Sequence, residues 1–455
     1  MTRLARNVQP TVFSSRSAPV DVLSLADVRQ CRRWKRVLAS QRKDYRYYAI
    51  VEETIRQGFN YRYFAIRDSS GDVRAIVPFF QLEVDLVAGL PQRVRRVAEL
   101  LRRGWPRFMQ MPAIMVGCAA GEGHLDDPDE LSHAEQAQRL SKSIMRHAAD
   151  LGARLVVFKE FSAKYRNDLA CLMKAGFTRV PSLPMAFLDI DYPSFEEFMS
   201  CVLSAKTRKD LRAKFRRAIA GPPIELSVVQ DITPVIEELY PLYLRVYERA
   251  HFRFECLTKE FLCRLGREVP DKTRFFIWRQ QGRAVAFSLC MVQKDEIFGE
   301  YLGFDYAVAL DLHLYHYVFR DVVSWAMARG YKTFRSSAGN YDPKLHLRFR
   351  LDPVDLYVRH ASKLTNFVLS KLLRYLAPVP YFPILKRFPN FDEVWGPIDN
   401  SRTRLPVPKT RPPTRPQVQG GTIFGLTAVI HGAITLRNGP AEQANFDGSC
   451  CNQNG

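Results

Sequence analysis

The sequence predicts an α/β (α+β) protein of two tandem modules, each a mixed central sheet flanked by helices, with a structureless tail. Three observations predict it. From Ile297 a short apolar run meets a Gly-Phe-Asp turn, and a long amphipathic segment then closes on Gly330. A second strand-like run follows at Lys332 to Arg335, completing a βαβ unit of about 30 residues. A hairpin pattern occurs at Tyr61 and again at Thr273, roughly 210 residues apart, each time followed by helix and strand, as in a duplicated module. Beyond Trp395 the composition shifts: 398–420 is rich in Pro, Arg and Thr, and the rest to Gly455 is Gly/Asn-rich with little periodicity.

The elements follow in order. Residues 1–20 read as a disordered lead. From Asp21 to Arg56, Val22, Leu25, Val28, Trp34, Val37 and Leu38 recur at helical spacing. Two β-rich runs around Asp68-Ser-Ser-Gly-Asp72 predict a hairpin over 61–86. Helices are expected at Val94 to Arg103 and Ser132 to Leu151, a buried strand at Arg154 to Phe158, and a short helix ending at Gly176. The strand-like run Pro184 to Asp191 closes the first module, assigned to 21–192. Ser194 opens a helix with a capping-box pattern to Glu197, a basic stretch runs through Arg217, and Gly221-Pro-Pro223 stops it. The second module, 193–395, continues with helices at Pro234 to Ala250 and Lys259 to Arg267. Then come the hairpin over 273–292, the strand Ile297 to Leu302 and the helix Leu312 to Arg329.

The charge narrows the partners. With 67 Lys and Arg against 47 Asp and Glu the chain carries +20, which suggests a polyanion: nucleic acid, acidic lipid or a phosphate-bearing cofactor. The densest basic run, Lys206 to Arg217, has an apolar stripe of Leu203, Leu211, Phe215 and Ile219. It reads as a solvated helix face, a contact with anionic lipid or a lipid-linked acceptor, or a contact with tRNA or CoA phosphates. Nine scattered cysteines without a CxxC pair argue for reduced thiols, and Cys201, Cys256, Cys263 and Cys290 sit in apolar settings as packing residues do. No run of 18 apolar residues and no signal-peptide core appears, so the expected location is cytoplasmic, at most peripheral to the inner membrane.

Two segments carry a resemblance. GFTRVPSLPMAFLDIDYPSFEEFMSCVLSAKTRKDLRAKFRRA (176–218) resembles the domain junction of the tandem members of the GNAT superfamily, the FemAB-like and CelD-like acyltransferases. GEYLGFDYAVALDLHLYHYVFRDVVSWAMARGYKTFRSSAGNYDPKLHLRF (299–349) resembles their catalytic segment, with SAGNYDPKLHLRF in the place of the family's Gly-x-x-x-x-K loop. The similarity spans roughly Asp21 to Arg359. It implies two GNAT-like modules that transfer an acyl group from a thioester, or an aminoacyl group from tRNA, to an amine. In CoA-dependent members the pantetheine pairs with the fourth strand, a backbone N–H there stabilises the oxyanion, and the pyrophosphate sits at the next helix N-terminus. These elements map onto Ile297 to Gly303, with Tyr301, Leu302 and Gly303 on the donor, and onto the turn from Asp305 to Leu314, which includes Leu312. The usual glycine-rich phosphate loop is replaced by Asp305-Tyr-Ala-Val-Ala-Leu-Asp311, whose side chains hinder close approach.

Within this frame Glu300 on the active strand is a candidate general base for the amine, or else a salt-bridged strand residue. Asp305 and Asp311 bracket the turn and could orient a substrate ammonium, with Asp311 as N-cap of the following helix the bland alternative. His313 and Tyr317, four residues apart on one face, offer a base and a proton donor to the leaving thiolate; packing is the alternative for them and for His316. Lys344 and Arg348, also four apart, offer phosphate binding, with Lys344 matching the family lysine. No metal is expected, because His313 and His316 lack a third ligand at matching spacing. The expected activity is therefore acyl transfer from acyl-CoA (acetyl-CoA) to an amine acceptor, such as a cell-envelope or polysaccharide precursor. The alternatives are an aminoacyl-tRNA-dependent peptidoglycan-precursor aminoacyltransferase, against which the absence of an inserted helical arm counts, and a non-catalytic protein of this fold that binds nucleic acid or membrane.

Overall fold

The computed structural model describes residues 20–85, 92–108, 110–250, 254–375 and 383–395; the expected disordered tail and all of the expected lead except Val20, which begins the first strand, lie outside the described residues. The first half gives β1 (Val20–Leu23), α1 (Leu25–Gln30), α2 (Tyr45–Thr54), β2 (Asn60–Arg67), β3 (Val73–Asp85), α3 (Gln92–Leu101), β4 (Gln110–Val116), α4 (His133–Asp150), β5 (Leu155–Ser162), α5 (Ala170–Lys174), β6 (Thr178–Pro181) and β7 (Met185–Asp189). The second gives α6 (Phe195–Val202), α7 (Ala205–Ile219), β8 (Ile224–Val229), α8 (Ile236–Arg249), α9 (Lys259–Glu268), β9 (Thr273–Gln280), β10 (Arg283–Gln293), β11 (Glu296–Phe304), α10 (Leu314–Met327), β12 (Thr333–Ser336), α11 (Tyr341–His346), β13 (Arg350–Asp352), β14 (Val354–His360), α12 (Lys363–Tyr375) and α13 (Phe391–Trp395).

These strands form two seven-stranded mixed sheets, ordered β1-β2-β3-β4-β5-β14-β6 and β13-β7-β12-β11-β10-β9-β8. In each sheet four strands meander antiparallel and the fifth joins parallel, β4 to β5 and β11 to β12, because a helical crossover separates the last two. The last strand of each half lies in the other half's sheet. β7 is held between β12 and β13, and β14 between β5 and β6. Alternation explains why each exchanged strand stays. Ala186 and Leu188 of β7 are buried in the core of the second sheet, while Leu356 and Val358 of β14 join the core shared by both sheets and Tyr357 points to the opposite face.

Three cores result. One lies between the sheets under α2, α8 and α9; one covers the outer face of the second sheet under α6 and α10; the third lies under α4 and α5. Several expectations are corrected. The segment 21–56 is not one helix: Val20 to Leu23 pair with β2 as an edge strand, and α1, a 3₁₀ turn at Trp34–Arg36 and α2 follow. The Ser24 and Ser132 hydroxyls close full capping boxes, whereas Ser194 only accepts from the Glu197 N–H. The long helix starts at Leu314, with His313 in the left-handed region (φ 47°) as its cap, so Asp311 does not cap it.

Candidate active site

β11 pairs with β12 only from Glu296↔Thr333 to Gly299↔Ser336; beyond that the two parallel strands part. At the parting a β-bulge leaves Glu300 with no partner on β10, because Gly299 faces Cys290 and Tyr301 faces Leu289. Such a bulge twists the strand and re-aims one side chain. The residues after Gly299 thus have an edge facing away from β10 that β12 does not pair. Here a cavity of about 510 Å³ opens between the sheets. Tyr301, Leu302, Val318, Phe319 and Phe334 form its apolar wall, Ser336 and Ser337 line it, and Lys43, Glu122, Lys159, Glu160, Glu255 and Glu300 bring charge.

The corresponding gap in the first sheet is filled. β4 and β5 pair up to Val116↔Phe158, and the chain from Gly117 to Gly123 then folds back into the space. A Cβ on Gly123 would stand 2.5 Å from the Lys159 carbonyl oxygen and 2.4 Å from the Phe161 ring, so only glycine allows this packing. The loop delivers Glu122 to the cavity. There Lys43 Nζ lies 3.1 Å from Glu122 and 2.9 Å from Glu300, and Arg42 Nε lies 2.5 Å from Glu300 and also pairs with Glu122. Two cations and two carboxylates, all nearly sealed from water, cancel one another. Burial opposes ionisation of Glu122, but Arg42 and Lys43 hold its carboxyl well below the usual range. His124 Nε2 sits 3.3 Å from Glu122, and burial lowers its pKa.

Glu255 faces a different environment. Burial pushes its carboxyl up, opposed by the Tyr301 hydroxyl, which donates to it at 2.6 Å, and by Lys159. Lys159 donates to the Gly121 carbonyl and to Glu160, both at 2.7 Å. A cavity carboxyl held by one phenol, with its proton affinity raised, is equipped to take a proton from a substrate.

The residues singled out in the sequence fall into separate places. Glu300, Tyr301 and Leu302 line the cavity, but Glu300 directs both oxygens to Arg42 and Lys43. Gly303 turns to α8: a Cβ there would meet the Phe287 ring at 2.3 Å and the Leu242 backbone at 2.9 Å. Asp305 is buried, accepting from Arg245 and Arg283 at 2.9 and 3.0 Å, so it does not face the cavity as a free carboxylate. The turn after it bonds to itself. The N–H groups of Val308, Ala309, Leu312, His313 and Leu314 donate to carbonyls of residues 305–310, and that of Ala307 donates to Asp305. Leu312 is half-buried against the second core. His313 and Tyr317 lie outside the cavity lining, Tyr317 being buried beneath Arg320, while Tyr315, Val318 and Val322 present the helix face that lines it. His316 is packed near Lys214 with its pKa pushed down to about 4 by burial. Lys344 and Arg348 do not share a face, because α11 ends at His346, Arg348 adopts φ 66° and is exposed, and Lys344 is buried. Lys344 Nζ donates to the carbonyl of Ser337, a cavity residue, and burial lowers its pKa to about 7. Of the cysteines, Cys263 and Cys290 are buried as expected, while Cys201 is exposed and Cys256 half-buried.

Lys43, Glu122, Lys159 and Glu255 escaped the reading of the sequence. No motif joins them: they come from four distant segments, and a bare carboxylate in a polar run gives no periodic signal. The glycines bracketing Glu122 were the single available hint.

The fold is thus a pair of mixed seven-stranded sheets, with an edge of β11 in the second left unpaired by β12 beside the cavity. The chain belongs to the FemAB-like family (peptidoglycan biosynthesis/recognition), which it matches over residues 123–352. Curated relatives include 8-amino-7-oxononanoate synthase 2 of Mycobacterium tuberculosis, 25% identical over 249 residues, 52% of this chain and 31% of that protein. The chain thus spans under a third of those relatives' length. Solved structures with similarity include L-PGS from Bacillus licheniformis (16% identity, TM-score 0.44, 71% of this chain and 95% of that one). FemX (10%, 0.43, 71% and 93%) and a tandem GNAT protein from the clavulanic acid biosynthesis pathway (11%, 0.42, 75% and 99%) are others.

Proposed function

We propose that the cavity is an acyl-transfer site that joins an acyl group from acyl-CoA to an amine acceptor of the cell envelope. The observation that carries the reading is the open edge of β11 beside a charged cavity. The donor's extended thioester arm adds along Tyr301 and Leu302 as a further strand, main chain to main chain. The amine nitrogen, entering neutral, attacks the thioester carbon, the C–S bond breaks, and the sulfur leaves as a thiol carrying the one proton that the nitrogen sheds, relayed through Glu255. Glu255 accepts the proton shed by the nitrogen, a role the sequence suggested for Glu300, whose oxygens are here committed to cations. The bulged Glu300 and the Arg42–Lys43–Glu122 cluster then fix the cavity floor. Lys344 acts on the loop of Ser337 rather than on phosphate.

A second reading keeps the chemistry and changes the donor to aminoacyl-tRNA, with a peptidoglycan precursor as acceptor. Two observations favour it: the self-bonded turn after Asp305 offers few free amides to a pyrophosphate, and the family description names peptidoglycan. Calorimetric titration with acetyl-CoA separates the two. Sub-millimolar binding that Leu302→Trp abolishes by filling the cavity supports the first. No binding of acetyl-CoA, with tight binding of aminoacyl-tRNA, replaces it with the second.

A further inference from the structure

Most exposed large apolar side chains of the described residues gather at one end of the first sheet. On α3 and the turn after it, Val97, Leu100, Leu101 and Trp105 stand out, with Leu100 63% and Trp105 64% exposed. On α12 they are Leu364, Phe367, Val368 and Leu372, with Leu364 76% and Phe367 62% exposed. On α12 the spacing i, i+3, i+4, i+8 draws one stripe along the helix; on α3 Val97, Leu100 and Leu101 do the same, and Trp105 stands on the turn that follows. The inward faces are supplied by other residues, Ala98 on α3 and Leu373 on α12, so neither outward stripe is needed for the core.

The topology puts the two helices at one end of the first sheet. α3 leaves the sheet after Asp85, which pairs with Gln110, and α12 leaves it after His360, which pairs with Leu155; Leu155 in turn pairs with Ala113. Both helices therefore join the same end of β3, β4, β5 and β14, α12 packing there on β14 and β6. The cavity lies at the other end, past Val116 and Phe158. Half-exposed Met173 on α5 adds to the apolar end, since Asn366 of α12 bonds to the Gly176 carbonyl that follows it.

The charge around the stripes has one sign. Residues 92–107 hold six arginines against the single acid Glu99, and 363–375 hold Lys363, Lys371 and Arg374 with no acid. Arg96, Arg103, Arg107, Lys363 and Lys371 are exposed beside the apolar side chains. Aliphatic stripes give nothing to a nucleic-acid backbone, whereas a Trp, Leu and Phe face flanked by arginine and lysine matches the acyl–headgroup boundary of a bilayer. We propose that α3 and α12 form a membrane-docking face that lays this end of the first sheet on an anionic lipid surface. Helix α7, the basic helix that stood out in the sequence, is not part of it: its large apolar residues Leu211 and Phe215 face the protein, only Ile219 at its end being open.

The test uses the full chain and sedimentation with two kinds of vesicle, pure phosphatidylcholine and an equal mixture with phosphatidylglycerol. Partition into the mixed vesicles is expected to exceed that into the neutral ones by about tenfold or more and to fall as salt is raised. Leu100→Glu with Trp105→Glu is expected to cost about tenfold in partition. Because both positions are exposed, the variant keeps its circular dichroism and melting temperature. Lys209→Glu with Arg216→Glu on α7 leaves partition unchanged. The proposal is overturned if the wild type ignores anionic vesicles, if the α3 variant binds as well as the wild type, or if the α7 variant is the one that fails. It is also overturned if the wild type is a dimer that the α3 variant splits, since the face would then be covered by a second copy.

Discussion

At the scale of single residues, the charged side chains around the cavity divide into those held by partners and those left available. Glu255 is the available one. If it takes the proton, Glu255→Gln lowers kcat by about 10²–10⁴-fold, with the rate of the wild type falling on the acid side at a pH above that of an ordinary glutamate. A pH–rate profile of transfer, compared with a binding isotherm for the donor, checks that the loss is chemical. Lys344 makes a different prediction. Burial lowers its pKa from 10.5 to about 7, so between these values the unfolded chain binds more protons than the folded one. Stability contributed at this site therefore rises with pH across that window, and the cost of the buried charge is fully present below about 7. Lys344→Met should stabilise the protein most at pH 6 and least near pH 10. Urea unfolding at three pH values measures the gap, and a gap that does not shrink as pH rises refutes the assignment.

At the scale of elements, the contrast between the two parallel pairs explains why one groove is open and the other closed. Both sheets part after the same kind of register, but Gly117 to Gly123 refill the first gap while none of the described residues refills the second. Gly123→Ala forces a methyl against the Lys159 carbonyl and the Phe161 ring, and should destabilise by about 1–3 kcal/mol. It should also disturb Glu122 and hence the ion cluster. The cluster itself is tested by a double-mutant cycle: Glu300→Gln alone leaves the buried Arg42 and Lys43 sharing Glu122 as one carboxylate for two cations, costing about 3–5 kcal/mol, and combining it with Lys43→Met restores part of the loss. Purely additive effects of the two substitutions would show that the charges do not act as a unit.

At the scale of the whole molecule, the exchanged strands tie the halves into one folding unit. A fragment ending at residue 192 would have β5 and β6 without the strand between them, and β7 without a sheet. Such a fragment is expected to be unfolded or aggregated, by circular dichroism and sizing, because both gap edges expose unpaired backbone. Recovery on co-expression with the remaining chain would show that the missing strand is the cause. The cavity depends on the same arrangement, since Lys43 and Glu122 come from one half and Glu255 and Glu300 from the other.

How much was legible follows from which forces act locally. The hairpins at 61–86 and 273–292, helix α4 and the βαβ unit around β11 were readable because turn chemistry and periodicity act within a few residues. The edge strand β1 and the short β13 were not, as four and three residues respectively carry too little pattern. The sequence by itself determined two α/β halves, a net positive surface, and a strand whose residues 300–302 line the cavity. Tertiary structure alone decided the rest: that β7 and β14 change places, that Glu300 is neutralised by Arg42 and Lys43, and that Glu255 faces the cavity beside the Tyr301 phenol and Lys159. Those outcomes rest on strand pairing and desolvation between residues up to 258 positions apart, as for Arg42 and Glu300, and no local window contains them.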